Sequence, residues 1–219
     1  MKPEIVTTLD GSHTLYLSEI DEHYHSTNGA VDESLHVFIR SGFDYCQNPE
    51  PVVFEVGFGT GLNALMTALR SAEKRIKTTY ITIEKFPLDH SVVSALNYPA
   101  LAGSGADILF SLIHNCRWNE VVPINEWFEI MKVEGDLQTF EPTIQADIIY
   151  FDAFAPSKQP EMWRPEVFQK MALLLGRGGI FVTYSAKGEV RRILQSNGFR
   201  VELLPGAKGK REMIRAVRL

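Results

Sequence analysis

Cysteine is scarce in this chain of 219 residues: Cys46 and Cys116 stand far apart and form no CxxC pair. That excludes a disulfide scaffold and a closed zinc framework, and it fits a reducing, cytoplasmic setting. Uninterrupted apolar stretches of about 18 residues, long enough to cross a bilayer, are absent. The start, "MKPEIVTTLDGSH", also lacks the apolar core of a secretion signal. The expectation is therefore a cytoplasmic protein with no membrane partner. Excess positive charge is missing too: 22 basic against 27 acidic residues give a net charge of −5. Whole-molecule attraction to nucleic acid is thereby excluded, whereas a local basic patch is not. Neither internal repeats nor low-complexity linkers occur. What remains, 45% hydrophobic and 22% charged residues, is the composition of one globular domain with a sizeable core.

The expected domain covers residues 1–219, with an extension at 1–45 and a core at 50–219. In the extension, "IVTTLDGSHTLYL" alternates around Asp10-Gly11 and predicts a hairpin with a two-residue turn. "VDESLHVFIRSG" then reads as a short amphipathic helix ended by Gly42. From residue 52 strands and helices alternate. Strands are predicted at 52–56, 79–84, 127–133, 147–152, 179–184, 199–204 and 213–219. Helices are predicted near 62–71, 88–96, 106–115, 160–175 and 188–196. Such alternation makes a parallel sheet covered on both faces. The last two strands are joined only by "PGAKGKRE", too short for a helical crossover, so they pair antiparallel. The fold class is α/β: a Rossmann-like, seven-stranded, mostly parallel sheet with an antiparallel last strand, as in class I methyltransferases.

The chemistry concentrates at "VVFEVGFGTGLNAL", residues 52–65. Gly57, Gly59 and Gly61 turn a strand tightly into a helix and offer bare backbone to a ligand. The dinucleotide fingerprint GxGxxG is broken, because its sixth position is Leu62. In its place stands E-x-G-x-G-x-G, led by Glu55. An acid beside the loop repels a pyrophosphate but suits a ligand bearing an ammonium and a sulfonium, which is S-adenosylmethionine. Glu84 closes the next strand at the place of a ribose-binding carboxylate, a placement that NAD would share. Asp136 follows "WFEIMKV" and can accept the exocyclic amine of adenine. Asp152 ends "DIIYFD", the fourth core strand. All four acids fall at strand C-terminal ends, where such sheets bind ligands.

At "DIIYFDAFAPSKQPEMW" the chain resembles the tRNA wobble-uridine methyltransferases that complete 5-methylaminomethyl-2-thiouridine. These comprise the methyltransferase half of the bifunctional MnmC enzymes and their stand-alone MnmD relatives. "DEHYHSTNGAVDESLHVFI" resembles the family's entry segment, "FEVGFGTGLNAL" its cofactor loop and "PGAKGKREMIRA" its C-terminal hairpin. The resemblance implies methyl transfer from S-adenosylmethionine to the primary amine of 5-aminomethyl-2-thiouridine in the tRNA anticodon. It implies neither metal nor FAD, since the flavin-dependent oxidase domain of the bifunctional relatives has no counterpart before Leu219. Enzymes that make the aminomethyl group would then be functional partners.

Within that reading Asp152 lies beside cofactor and amine, either positioning the ammonium or also taking its proton. Phe154 has two readings, stacking on a flipped wobble base or a core contact under the loop. Trp163 reads as core. Tyr24 and Asn28 match family positions that cover the cofactor, although Asn28 also fits an Asn-Gly turn. Lys158, Lys210 and Arg211, with Lys208, Arg164, Arg191 and Arg192, are the candidates for phosphate contact. His23, His25, His114 and Cys116 offer metal-ligand atoms at spacings that match no closed zinc set. Two alternatives remain open: a polyamine methyl- or aminopropyl-transferase, and a catalytically silent cofactor-binding module in a tRNA-modification assembly. A nicotinamide dehydrogenase ranks third because of Leu62.

Overall fold

The computed structural model describes residues 3–141 and 144–219. A small antiparallel sheet comes first, built of β1 (Glu4–Thr7), β2 (His13–Leu17) and β3 (Glu22–His23). Its first loop is wider than the two-residue turn expected from Asp10-Gly11, because Thr7 pairs with His13 and leaves Thr8–Ser12 outside the ladder. The Asp10 carboxylate widens it by accepting from the Thr8 and Ser12 hydroxyls and from the backbone N–H of Ser12. The predicted amphipathic helix is α1 (Ala30–Ser34), which continues as a π-helical stretch over Leu35–Arg40.

The core then runs β4 (Val52–Val56), α2 (Leu62–Lys74), β5 (Thr78–Glu84), α3 (His90–Val93), α4 (Tyr98–Ala102) and α5 (Ala106–Asn115). It continues through β6 (Val121–Asn125), β7 (Phe128–Glu134), β8 (Ala146–Phe151), α6 (Pro165–Leu174) and β9 (Leu175–Thr183). The last elements are α7 (Gly188–Ser196), β10 (Phe199–Pro205) and β11 (Glu212–Arg218). The sheet order is β10-β11-β9-β8-β4-β5-β7-β6. β4, β5, β7, β8 and β9 are parallel, while β11 runs antiparallel between β9 and β10. The short β6 extends the seven expected strands at one edge, antiparallel to β7. Around residues 160–175 one predicted helix is two: a 3₁₀ turn at Pro160–Trp163 and then α6. Arg164 between them is extended at φ −76° and ψ 152°, the conformation that a following proline imposes. The helix expected over 88–96 is confined to α3.

Both faces of the sheet are covered, which is why its strands read as nearly continuous apolar runs. One face carries Phe54, Ile149, Phe151 and Phe181 against Phe168 and Met171 of α6. The other carries Val53, Ile130, Ile148 and Val182 against Phe38, Ala64 and Ala68. α2 departs from this pattern on one stripe: Asn63, Thr67 and Ser71 are polar, four residues apart and buried. Thr67 Oγ1 bonds the Asn63 carbonyl at 2.7 Å and lies 3.4 Å from the Tyr150 hydroxyl, while Ser71 Oγ meets Thr78 Oγ1 at 2.8 Å. The stripe begins under the strand tips, where the chain winds outward from β4 in both directions and opens a crevice. Backbone bonds carry the ladder past those tips: Gly57 N–H to Ile83, Asp152 N–H to Val56 and Gly135 N–H to Glu84.

Phe168 is fully buried and stacks on Phe151 with centroids 5.3 Å apart. Phe168→Ala is expected to lower unfolding stability by about 3–5 kcal/mol. Urea denaturation checks this, and a loss below about 1 kcal/mol would contradict the packing described.

Candidate active site

Gly57, Gly59 and Gly61 take φ of 90°, 49° and 72°, so the turn from β4 into α2 depends on left-handed backbone. Protein atoms stand where all three side chains would go, beginning with the Asp152 carbonyl oxygen, 3.1 Å from a Cβ on Gly57. A Cβ on Gly59 would lie 3.1 Å from the Tyr24 ring, and one on Gly61 would lie 2.5 Å from His114 Nε2. Gly57 and Gly59 line the main cleft, whereas Gly61 packs against His114 and starts the helix. Two histidines brace Thr60 inside the turn. His114 Nε2 donates to the Thr60 carbonyl at 3.1 Å, and His25 Nε2 lies 2.8 Å from its hydroxyl. Burial pushes both imidazoles down to about 4, so they are neutral at pH 7. Among the described residues no cluster of three or more His, Cys, Asp or Glu is placed to hold a metal ion.

The cleft has a volume of about 830 Å³ and runs from Asp152 past the glycine turn to Glu84 and Asp136. The Glu84 carboxylate is held by two backbone donors, Gly59 N–H at 3.0 Å and Phe86 N–H at 2.8 Å. Asp136 is paired with Lys85 at 2.9 Å and accepts from the Gln138 N–H. These bonds hold its carboxyl below the usual range. Between the two acids the wall is apolar, with Ile83, Leu88, Val92 and Leu137. An adenosine-bearing ligand needs an acid for ribose hydroxyls, an acceptor for a ring amine and an apolar slot between them; this cleft offers all three.

Glu55 does not face that cleft, contrary to the expectation that it meets the ligand's cations. Its side chain is 0% exposed, and burial lifts its carboxyl to about 8, with the charge of Asp152 adding to the rise. The Tyr80 and Thr82 hydroxyls oppose the rise, yet neither reaches hydrogen-bonding geometry with Oε2. Glu55 is therefore a neutral acid at pH 7. Its link to the cleft is Asn63, a residue that sequence reasoning missed. Asn63 Nδ2 donates to Glu55 Oε1 at 3.1 Å and to Asp152 Oδ2 at 2.8 Å. The available signal was local: a polar residue in the first turn of a helix that otherwise opens on leucine and alanine. Asp152 is raised to about 7, by burial first and then by the charge of Glu33, against the Asn63 hydrogen bond and Lys210.

Asp152, Phe154, Tyr24 and His25 also line a second cavity of about 320 Å³. Tyr24 meets Phe154 edge-on with centroids 5.1 Å apart, so these two rings stand between the cavities. The far wall holds Glu33, Tyr184 and Lys210. Lys210 Nζ pairs with Glu33 at 2.5 Å and sits 3.9 Å over the Tyr184 ring. It is thus part of the cavity rather than the free phosphate-binding cation expected. Three other expected residues lie away from both cavities. Asn28 packs beside Gly209 of the β10–β11 turn, where a Cβ would lie 2.2 Å from its Nδ2. Lys158 is paired with Asp21 at 3.2 Å, and Arg211 is exposed on the turn. Trp163 is buried and donates to the Phe154 carbonyl at 2.8 Å, which anchors the Phe154 loop.

Residues 121–219 match the model of a family described as S-adenosyl-L-methionine-dependent methyltransferase. The match lies in the C-terminal part of the chain, which is thus similar to that family. It is 34% identical over 220 residues to the tRNA 5-methylaminomethyl-2-thiouridine biosynthesis bifunctional protein MnmC of Cupriavidus metallidurans, covering 94% of this chain and 32% of that protein. The MnmC of Ralstonia nicotianae is 32% identical, with 91% of this chain and 32% of that protein covered. The chain thus spans about a third of the length of the curated relatives it matches. Among solved structures, MnmC2 from Aquifex aeolicus superposes with a TM-score of 0.78 at 25% identity, over 98% of this chain and 69% of that one. Spermidine synthase from Thermotoga maritima shares the fold, with a TM-score of 0.55 at 14% identity over 94% of this chain and 68% of that one. Among methyltransferases of this family the donor is S-adenosylmethionine, and the cleft residues fit it. Gly57, Gly59, Glu84 and Asp136 are those that would hold it.

The raised carboxyl of Glu55 makes stability depend on pH. The folded state keeps a proton that the unfolded chain releases, so stability falls as pH rises from about 4.5 toward about 8. Glu55→Gln cannot ionise, and is expected to raise Tm relative to the parent more at pH 8.5 than at pH 5 (about the two ends of that window). Parallel melting curves across this range would contradict the burial argument.

Proposed function

We propose that this protein methylates the primary amine of 5-aminomethyl-(2-thio)uridine at the wobble position of tRNA, yielding 5-methylaminomethyl-(2-thio)uridine. The observation that carries the reading is the shared wall: Asp152 borders both the donor cleft and the second cavity. The similarity to proteins named for 5-methylaminomethyl-2-thiouridine biosynthesis supports this choice of acceptor. When bound, S-adenosylmethionine supplies an electrophilic methyl group on a sulfonium.

The acceptor amine has a pKa of roughly 10 and arrives as an ammonium, which cannot attack. Asp152, when ionised, binds that cation and takes one proton, freeing the nitrogen lone pair. A carboxylate at about 4 would be a weak base for this step, and the rise to about 7 brings it closer to the amine. Phe154 and Tyr24 offer faces to an unstacked base beside Asp152, and their edge-on contact fixes both rings. The exposed Lys208 and Arg211 flank Lys210 on the β10–β11 turn, at the side where an anticodon arm would approach. A polyamine acceptor would call for several free carboxylates, whereas Glu33 in the second cavity is already neutralised by Lys210, which leaves Asp152 and Glu22 as the acids of that lining.

Mass analysis of nucleosides after incubation with S-adenosylmethionine and tRNA bearing aminomethyluridine tests the assignment directly. Product on spermidine but not on tRNA would replace it. Asp152→Asn is expected to cut kcat by about 100-fold or more and to leave donor affinity within about threefold. Because Asp152 works ionised, kcat/KM should fall as pH drops through about 7, and the variant should lose that limb. Replacing Lys208 and Arg211 together by Glu is expected to weaken tRNA binding and flatten its salt dependence. Unchanged affinity at two salt concentrations would move the RNA contact elsewhere.

A further inference from the structure

The Asn63 side chain uses both donors and its oxygen on three partners from three different segments. Its two amide hydrogens go to Asp152 Oδ2 at 2.8 Å and Glu55 Oε1 at 3.1 Å. Its Oδ1 accepts from Ser34 Oγ, in α1, at 2.6 Å. Asn63 is 3% exposed, Ser34 1% and Glu55 0%, so the bonds to Ser34 and Glu55 are buried, while the partly buried Asp152 keeps its other side toward the cavities. The amide has one workable orientation. Turned over, its oxygen would face two carboxylate oxygens and its nitrogen would lose them both. Only one of those carboxylates can be charged cheaply in such a place, and the fully buried Glu55 is the one that stays protonated.

We propose that Asn63 is a positioning residue for the reaction: it fixes the Asp152 carboxylate for the incoming amine and ties it, through Ser34, to the N-terminal extension. The inference rests on the role of Asp152 given above. Asn63 engages Oδ2 with a full amide hydrogen, so Oδ1 is the oxygen left to take the amine's proton. The hydrogen bond favours the ionised form of Asp152, the form that receives an ammonium. Its placement follows from the glycine turn, because Gly61 sets the start of α2 and Asn63 is the second residue of that helix. The segment that bears the donor thus also orients the base. Ser34 brings the extension into the same arrangement, and Glu33, its neighbour in α1, reaches the second cavity from the same turn.

Other charged or titratable groups also face Asp152. They are Glu33 of α1, Lys210 of the β10–β11 turn, Tyr184 after β9 and Glu22 and His23 of β3. Tyr24 and His25, after β3, face it across both cavities, while Tyr80 of β5 and Tyr98 of α4 feel its charge from behind. None of these donates a hydrogen bond to the Asp152 carboxylate among the described residues. Their contributions stay in place when Asn63 alone is changed, which makes the substitution interpretable.

The test is a carbon-13 NMR titration of the Asp152 carboxyl in the parent, Asn63→Leu and Ser34→Ala, beside steady-state kinetics on the aminomethyl-tRNA. Asn63→Leu removes both donors. It is expected to raise the Asp152 midpoint by about one unit or more and lower kcat at least about tenfold, with donor affinity within about threefold. Ser34→Ala keeps both donors but frees the amide, and is expected to raise the midpoint by about 0.3 units or more without unfolding the chain. A midpoint unmoved in both variants overturns the proposal, as does an unmoved midpoint in Ser34→Ala if the leucine variant does not fold. Failure of the parent to methylate tRNA would instead sink the acceptor assignment, since the titration is read without substrate.

Discussion

Two carboxylates at the tips of neighbouring parallel strands, held to one amide between them, are the constraint on which the rest of the site depends. Glu55 from β4 and Asp152 after β8 cannot both be charged in a buried place, and Asn63 satisfies one oxygen of each. The arrangement needs β4 and β8 in register, and the backbone bond from Asp152 N–H to Val56 locks that register past the end of the ladder. It also needs α2 to begin where it does, which the left-handed Gly61 decides.

The N-terminal extension and the C-terminal hairpin convert a generic methyltransferase crevice into two adjoining spaces. Tyr24 lies over the glycine turn from one side, and His25 grips Thr60 within it. Across the second cavity the ion pair between Glu33 and Lys210 joins segments 177 residues apart in sequence. Lys210 gains the face of Tyr184 besides, so its charge is held rather than offered to solvent. The cavity presents an acid and aromatic faces to a ligand, a combination suited to an amine carried on a base.

Elsewhere the buried polar groups do structural work near the same place. Lys132, on β7, is fully buried, yet its ammonium donates to the carbonyl of His114 at the end of α5 and lies over the Trp118 ring. A cation at a helix C-terminus is favourable, and here it steadies the histidine that supports Thr60. The polar stripe of Asn63, Thr67 and Ser71 under α2 continues the theme. Part of the departure from an apolar core, Glu55, Thr60 and Asn63, lies at the glycine turn, where the site demands fixed side chains more than it demands burial of hydrocarbon.

Local pattern alone determined much of this protein. β-branched runs, helix periodicity and the glycine turn reported the order of strands and helices, and strand ends reported Glu84, Asp136 and Asp152 as acids on one edge. Those signals are properties of a few consecutive residues, so they survive without knowledge of the fold. Only the tertiary structure decided which acid is charged, because protonation depends on burial and on neighbours brought from other segments. It turned Glu55 from a ligand contact into a neutral support, drew Lys210 from a presumed phosphate contact into an ion pair, and sent Asn28 to the hairpin turn. It also widened the Asp10 loop through side-chain bonds that a dipeptide signal does not carry. Asn63 was visible as a letter in the motif, but its role arises from three partners that no stretch of sequence places side by side.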